Sequence, residues 1–214
     1  AFVKIDVPAD WADARDKTET ITYEGFEKTV KMVKNILSVI NRMDGDSLPV
    51  STFLPHEDGT FELGASAYEK RGVSVTVPVW DPTACIQCNQ CSFVCPHSTI
   101  RPVLLNEEEM AKVPAGFVTK DATGMAGLKF RMQVAPLDCL GCGNCVDICP
   151  AKEKAIEMKP LETQNDEVAN WTYSRKVTEK KLENPATVKN SQFRNPYFEF
   201  SGACAGCGET PYIK

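Results

Sequence analysis

Two stretches of this chain carry one cysteine pattern. Pro82-Thr-Ala-Cys85-Ile-Gln-Cys88-Asn-Gln-Cys91-Ser-Phe-Val-Cys95-Pro96 is matched, at a constant offset of 54 residues, by Pro136-Leu-Asp-Cys139-Leu-Gly-Cys142-Gly-Asn-Cys145-Val-Asp-Ile-Cys149-Pro150. Each half reads C-x2-C-x2-C-x3-C-P, and a fold that satisfies both must bring eight thiols into two compact groups. The chain has ten cysteines in 214 residues, and none lies before Cys85. Cysteines only three apart rarely all reach disulfide geometry with distant partners, and the N-terminal residues show neither the basic nor the long apolar region of a secretory signal. Metal ligation in a reducing compartment is the better reading, and a cytoplasmic protein is expected. At 43% hydrophobic residues and a formal charge of -5 a packed core is possible. The short apolar runs cannot cross a bilayer, and no basic stripe points to nucleic acid.

The duplicated run resembles that of bacterial two-cluster ferredoxins, a pattern recognised rather than deduced. Three thiolates at i, i+3 and i+6 on a tight loop can converge on one iron–sulfur cube, with the backbone amides between them aimed at sulfur. The fourth, directly before proline, lies too far along the chain to return easily to the same cube and serves the other one. Cys85, Cys88, Cys91 and Cys149 are therefore assigned to one [4Fe-4S] cluster, and Cys139, Cys142, Cys145 and Cys95 to a second. Ile86, Val94, Leu140 and Ile148 are expected to sheath the clusters from water. Zinc also takes four cysteines at C-x2-C spacing, but a structural zinc site needs neither the third cysteine nor the Cys-Pro, still less both of them twice. His97 is read as a polar loop residue, with tuning of a cluster through a hydrogen bond as the alternative.

Around the repeat, spacing of three and four over residues 22–43 (Phe26, Val30, Val33, Ile36, Leu37, Ile40, Met43) predicts an amphipathic helix ended by Asp44-Gly45. The turn-rich residues 44–58 read as a linker. Val73, Val75, Val77 and Val79 predict a strand pushed to a sheet edge by Pro78, Phe130, Met132 and Val134 a second, and residues 155–158 a short closing strand. Residues 106–113 read as a short helix. The 43 residues between Cys95 and Cys139 exceed what a repeat needs, so 106–127 are expected to cover one side of the cluster core or pack on a neighbouring domain. The polar residues 162–185 read as extended surface. Asn170-Trp-Thr172 fits the N-glycosylation tripeptide, taken as a chance match.

A second pair of cysteines follows in Phe200-Ser-Gly-Ala-Cys204-Ala-Gly-Cys207-Gly-Glu-Thr-Pro-Tyr212. Two thiolates cannot complete a tetrahedral metal site or a four-iron cluster. With seven residues after Cys207 and no initiating Met, a piece of a longer polypeptide is expected. This ordered set, from Trp80-Asp-Pro-Thr-Ala-Cys85 to His97, through Leu140-Gly-Cys142-Gly-Asn-Cys145, to Phe200 through Tyr212, resembles the central part of the bacterial pyruvate:ferredoxin oxidoreductase family. The resemblance runs from about residue 22 onward. It implies an α+β chain with these parts: 1–20 the end of a preceding domain, 21–59 a linker helix region, 60–175 a ferredoxin-like domain with a pseudo-two-fold repeat, and 176–214 the start of a thiamine-diphosphate domain. It further implies that Cys204 and Cys207 are two ligands of a third [4Fe-4S] cluster shared with chain beyond this segment. The full-length enzyme would use thiamine diphosphate and Mg2+ to convert pyruvate and CoA to acetyl-CoA and CO2, as a homodimer, with ferredoxin or flavodoxin taking the electrons. No catalytic residue is assigned in this segment, which alone is not expected to turn over pyruvate.

Two other readings stand beside it: a free-standing two-cluster ferredoxin, and the equivalent module of an oxidoreductase for another 2-oxo acid. Each oxidised cluster with four thiolates carries -2, so two clusters move the formal charge from -5 to about -9, which bears on docking rather than on fold.

Overall fold

A computed structural model describes residues 27–62, 65–200 and 207–213. The chain forms two compact units, residues 1–71 and 72–214. In the first, α1 (Glu27–Met32) continues through a π-helical turn, Val33–Leu37, into α2 (Ser38–Asn41). Met32, Val33 and Ile36 are buried on one face, with Leu37, Phe53, Ala65 and Tyr68 packed on them, as the apolar spacing requires. Ser38 Oγ donates at 2.8 Å to the Val33 carbonyl, which also accepts the Ser38 amide in the π turn. The predicted helix thus exists from Glu27, while positions 22–26 lie outside the described residues. Residues 44–58 are rich in turns. They wind into 3-10 turns, Gly45–Ser47 and Val50–His56, and Phe53 folds back onto the helix.

The second unit runs β1 (Thr76–Trp80), α3 (Gln90–Phe93), β2 (Ile100–Leu105), α4 (Glu107–Met110), β3 (Lys120–Asp121), β4 (Lys129–Val134), α5 (Asn144–Asp147), β5 (Ile156–Pro160), α6 (Asp166–Ser174), α7 (Val188–Ser191) and α8 (Glu209–Ile213). It is mixed α and β. β1 pairs antiparallel with β5, Val77 opposite Lys159 and Trp80 opposite Ile156. β2 pairs antiparallel with β4, Ile100 opposite Val134 and Leu105 opposite Lys129, and β3 extends that sheet on β4. The strand before the first cysteine motif therefore pairs with the strand after the second, and the strand after the first pairs with the strand before the second. Pro78 is tolerated because both strands of a two-stranded ribbon are edges.

Ile100, Leu104, Phe130, Met132, Val134 and Ile156 share one buried cluster with Cys91, Cys95 and Cys145. The shell around the cysteines is thus supplied by strands. β2 was not foreseen. It is buried along both faces, so Ile100-Arg-Pro-Val-Leu-Leu105 shows no alternation, as expected of a strand covered on each side.

Residues 162–185, expected to be extended surface, contain α6. Its inner face meets the polar side of β4: Arg131 Nη2 donates to both Glu167 carboxylate oxygens at 2.6 and 2.7 Å, Gln133 donates to Glu167 at 2.7 Å, and Phe117 lies 4.3 Å under the Arg131 guanidinium. The helix buries a charge pair where a hydrophobic stripe would usually sit, which is why its composition misled. Asn170 is buried and donates to Glu167 at 3.1 Å, so the glycosylation-like tripeptide has a packing role. Because Arg131 keeps only 5% side-chain exposure, Glu167→Ala strands a buried cation. It is expected to cost about 2–4 kcal/mol and to lower the temperature at which the iron–sulfur absorption bleaches, with Glu167→Gln less severe.

Candidate metal centre

Each motif opens on a loop that turns through left-handed backbone and closes on a one-turn helix. In the first, Gln87 and Asn89 have φ of 59° and 61°; in the second, Gly141 and Gly143, 54 positions later, have 68° and 79°. The turn brings the amide of Gln87 to 3.4 Å from Cys85 Sγ and that of Gly141 to 3.4 Å from Cys139 Sγ. These amides point at cysteine sulfurs of the motifs. A methyl group on Gly141 would overlap Ser74 Oγ and meet the Thr76 carbonyl oxygen at 2.9 Å, so glycine is required there for space as well as for φ.

Cys91, Cys95, Cys139 and Cys145 are buried, Cys85, Cys88 and Cys149 half-buried, and Cys142 exposed. Burial pushes the Cys145 thiol up to about 12, with Cys95, Cys139 and Cys142 adding to the shift. Burial likewise pushes Cys139 up to about 12, opposed by the Gly141 amide and raised further by Cys95 and Cys142. Cys95, from the first motif, therefore lies close enough to Cys139 and Cys145 of the second to act on both. Cys91 is raised by burial, then by Cys145, Cys85 and Cys88, so the two groups adjoin where α3 packs on α5. Thr99 places its amide and its hydroxyl each 3.4 Å from Cys95 Sγ.

The insertion covers the first motif. Gln87 donates to the Asp121 carbonyl at 2.7 Å and accepts from the Thr123 amide at 2.8 Å, Lys120 Nζ reaches the Pro82 and Cys85 carbonyls at 2.6 and 2.8 Å, and Ala122 and Met125 pack on the buried cysteine core. Lys154 Nζ holds the Val146, Asp147 and Cys149 carbonyls at 2.8–3.0 Å. One expectation is corrected. Ile86 and Ile148 are 58% and 39% exposed and do not sheath the centre, because the loop turn aims them outward and β2, β4 and β5 fill that role. His97 is buried, and its carbonyl accepts from the Phe200 amide at 3.1 Å. Cys204 lies outside the described residues, and Cys207 is half-buried just before α8.

A family model described as a 4Fe-4S dicluster domain matches residues 84–153, and one described as a domain of unknown function matches residues 19–74. The pyruvate:ferredoxin oxidoreductase of Moorella thermoacetica and the pyruvate-flavodoxin oxidoreductase of Enterobacter agglomerans are 55% and 54% identical over 100% of this chain. Over its whole length the chain is similar to a segment of pyruvate:ferredoxin and pyruvate-flavodoxin oxidoreductases. It spans 18% of the length of those two relatives. A mitochondrial pyruvate dehydrogenase (NADP+) of Euglena gracilis is 44% identical over 99% of the chain, which covers 11% of that protein.

The donor set fits [4Fe-4S] chemistry: thiols in two adjoining groups, amide N–H donors on sulfur, and an apolar strand shell. No described helix is long and apolar enough to cross a membrane. The two left-handed loops give a paired test. Gly141→Ala is expected to lose iron and acid-labile sulfide from the second motif, since the left-handed conformation alone costs about 1–2 kcal/mol before the overlap is counted. Gln87→Gly keeps the backbone and releases only the insertion. Anaerobic iron and sulfide analysis should therefore find Gly141→Ala depleted and Gln87→Gly loaded; equal loading would refute the requirement for glycine at 141.

Proposed function

We propose that this chain is the electron-transfer segment of a pyruvate:ferredoxin (flavodoxin) oxidoreductase. The observation that carries the reading is the proximity of Cys95 to Cys139 and Cys145, which supports the crossed arrangement of a two-cluster module. Cys139, Cys142, Cys145 and Cys95 hold one cluster, and Cys85, Cys88, Cys91 and Cys149 the other, in halves related by a pseudo-two-fold axis through residues 60–175. Cys204 and Cys207 supply two ligands of a third cluster, and residues from 176 lead into a thiamine-diphosphate domain. When bound, the clusters supply one-electron carriage, and thiamine diphosphate with Mg2+ in the full-length enzyme supplies the conversion of pyruvate and CoA to acetyl-CoA and CO2.

The chain's own residues bind and insulate. The amides of Gln87, Gly141 and Thr99 stabilise thiolate charge on Cys85, Cys139 and Cys95. Lys120 and Lys154 fix the backbone at Cys85 and Cys149, and the β2–β4 face keeps water from the buried sulfurs, so burial and hydrogen bonding set the potentials. Ferredoxin or flavodoxin is the external acceptor and the full-length chain a cytoplasmic homodimer. The relatives' names, with ferredoxin, flavodoxin and NADP+ among them, support a common internal wire serving different acceptors.

The deciding experiment replaces Cys204 and Cys207 together by Ala in the anaerobically purified full-length enzyme. About one third of the iron should be lost, one four-iron cluster of three. Pyruvate should no longer reduce the two remaining clusters, while dithionite still does. Unchanged iron together with unchanged reduction would overturn the reading and favour a free-standing ferredoxin.

A further inference from the structure

Thr99 stands where the two halves of the repeat cross. It lies four residues after Cys95, and its carbonyl accepts at 2.7 Å from the amide of Ala135, four residues before Cys139. Its own amide is directed at Cys95 Sγ, at 3.4 Å. Both backbone groups are engaged and the residue is 2% exposed. A β-branched side chain is stiff at χ1 in any case, so the hydroxyl has little freedom. That hydroxyl lies 3.4 Å from the same Cys95 sulfur. Burial pushes the Cys139 thiol up, and the Thr99 hydroxyl is among the groups that pull it back. One hydroxyl therefore acts on a cysteine of each motif.

A buried threonine hydroxyl often bonds a nearby backbone carbonyl. Here, among the described residues, it bonds sulfur. A thiol sulfur is a weak acceptor, whereas a metal-bound thiolate has no proton to offer and accepts with the strength of a charge-assisted bond. The arrangement is poor for a core of free thiols and good for a bound cluster. The repeat supplies the comparison. The residue 54 positions on is Glu153, which is exposed, and the chain there is held by Lys154 through the Cys149 carbonyl. The hydroxyl is thus an addition to one half and not part of the shared ligand loop. Reduction adds one negative charge to a cluster, and a fixed donor on a ligand sulfur favours the more negative state. Cys95, Cys139 and Cys145 are all buried, so solvent cannot readily replace that donor.

We propose that Thr99 is a potential-setting residue: its hydroxyl donates to the Cys95 sulfur of the bound cluster and makes that cluster easier to reduce than the cysteines and loop amides alone would make it. The other half has no hydroxyl at the matching position. The proposal rests on the reading that Cys95 and the second motif share one [4Fe-4S] cluster.

The test uses the anaerobic full-length protein with Thr99→Val, which keeps the shape of the side chain and the sulfur-bonded amide and deletes the hydroxyl, and with Thr99→Ser, which keeps the hydroxyl. Iron and acid-labile sulfide of the wild type come first: fewer than two four-iron clusters per chain shows that the functional reading itself has failed. Midpoint potentials are then read by redox titration followed with electron paramagnetic resonance. Thr99→Val should hold wild-type iron and move one cluster to a more negative potential, with the other clusters unmoved and Thr99→Ser close to wild type. Wild-type potentials throughout Thr99→Val overturn the proposal. An equal shift of every cluster does the same, because it marks a general loosening of the core, and a Thr99→Ser that follows Thr99→Val assigns the effect to methyl packing. If Thr99→Val does not load, Thr99→Ala takes its place in the titration, and failure of both overturns the tuning role in favour of a structural one.

Discussion

Everything in the second unit is arranged around thiols that have been taken out of water. Cys91, Cys95, Cys139 and Cys145 each keep 8% exposure where the two motif helices meet, and each negative sulfur there raises the cost of the next. Desolvation is the first cause of the upward shift at Cys91, Cys139 and Cys145, and other cysteines add to it in every case. Such a centre is compact only if it is closed by cations and hydrogen-bond donors together. Iron is the cation that the dicluster family brings, and the protein's share is the donors: amides turned inward through left-handed loop positions, and the Thr99 hydroxyl. The crossed pairing of β1 with β5 and β2 with β4 follows from the same constraint, because it places a strand of each half on each side of the shared centre.

The two motifs have the same backbone and different attachments. At the left-handed positions the second motif carries Gly141 and Gly143, and the first carries Gln87 and Asn89, whose side chains are used. Gln87 latches the insertion at Asp121 and Thr123, and Asn89 Nδ2 donates to the Lys189 carbonyl at 2.8 Å. Beyond the Cys-Pro pairs the halves diverge again. Thr99 bonds sulfur in the first, while its counterpart at the 54-residue offset is Glu153; Lys154 clamps three carbonyls in the second, while its counterpart is Ile100. A duplicated loop has thus been specialised by what each copy holds. The first copy is wrapped by chain that arrives from the insertion and from α7, where Ser92 also bonds Gln192 at 3.0 Å.

The legibility of the sequence followed the range of the forces involved. The cysteine grouping, the capped α4, with Asn106 and Glu109 satisfying each other's neighbouring amides, and the strands at β4 and β5 depend on spacing within a few residues and were readable. So was the covering role of the insertion, since 43 residues are too many for a connection. β2 was missed because burial on both faces erases the two-residue alternation. α6 was missed because it buries Glu167, Asn170 and Trp171 against a polar sheet face, so the apolar period that marks a surface helix is absent. The exposure of Ile86 and Ile148 was hidden for a third reason. Side-chain direction on a loop that passes through positive φ is set by the backbone turn and not by hydrophobicity. A signal was present in the alignment of Gln87 with Gly141 and of Asn89 with Gly143, which marks positions where glycine is favoured by conformation.

The polar face of the β2–β4 sheet shows why charges were placed where a hydrophobic layer would serve stability better. Arg101 stands opposite Gln133 and Arg131 opposite Val103 in the ladder, so the two arginines are near neighbours on paired strands. α6 meets both with residues four apart on one helical face: Glu167 takes Arg131, and the Trp171 ring takes Arg101, whose carboxylate partner, Glu199, comes from the strap. Apolar side chains in this layer would tolerate sliding of the helix or the strap by a fraction of a turn, since dispersion contacts are short-ranged but not directional. Two guanidiniums with fixed fork geometry permit one docking only. The net cost of burying two cations is accepted here in exchange for one defined docking of α6 and of the chain around Glu199 and Phe200 on this face of the sheet.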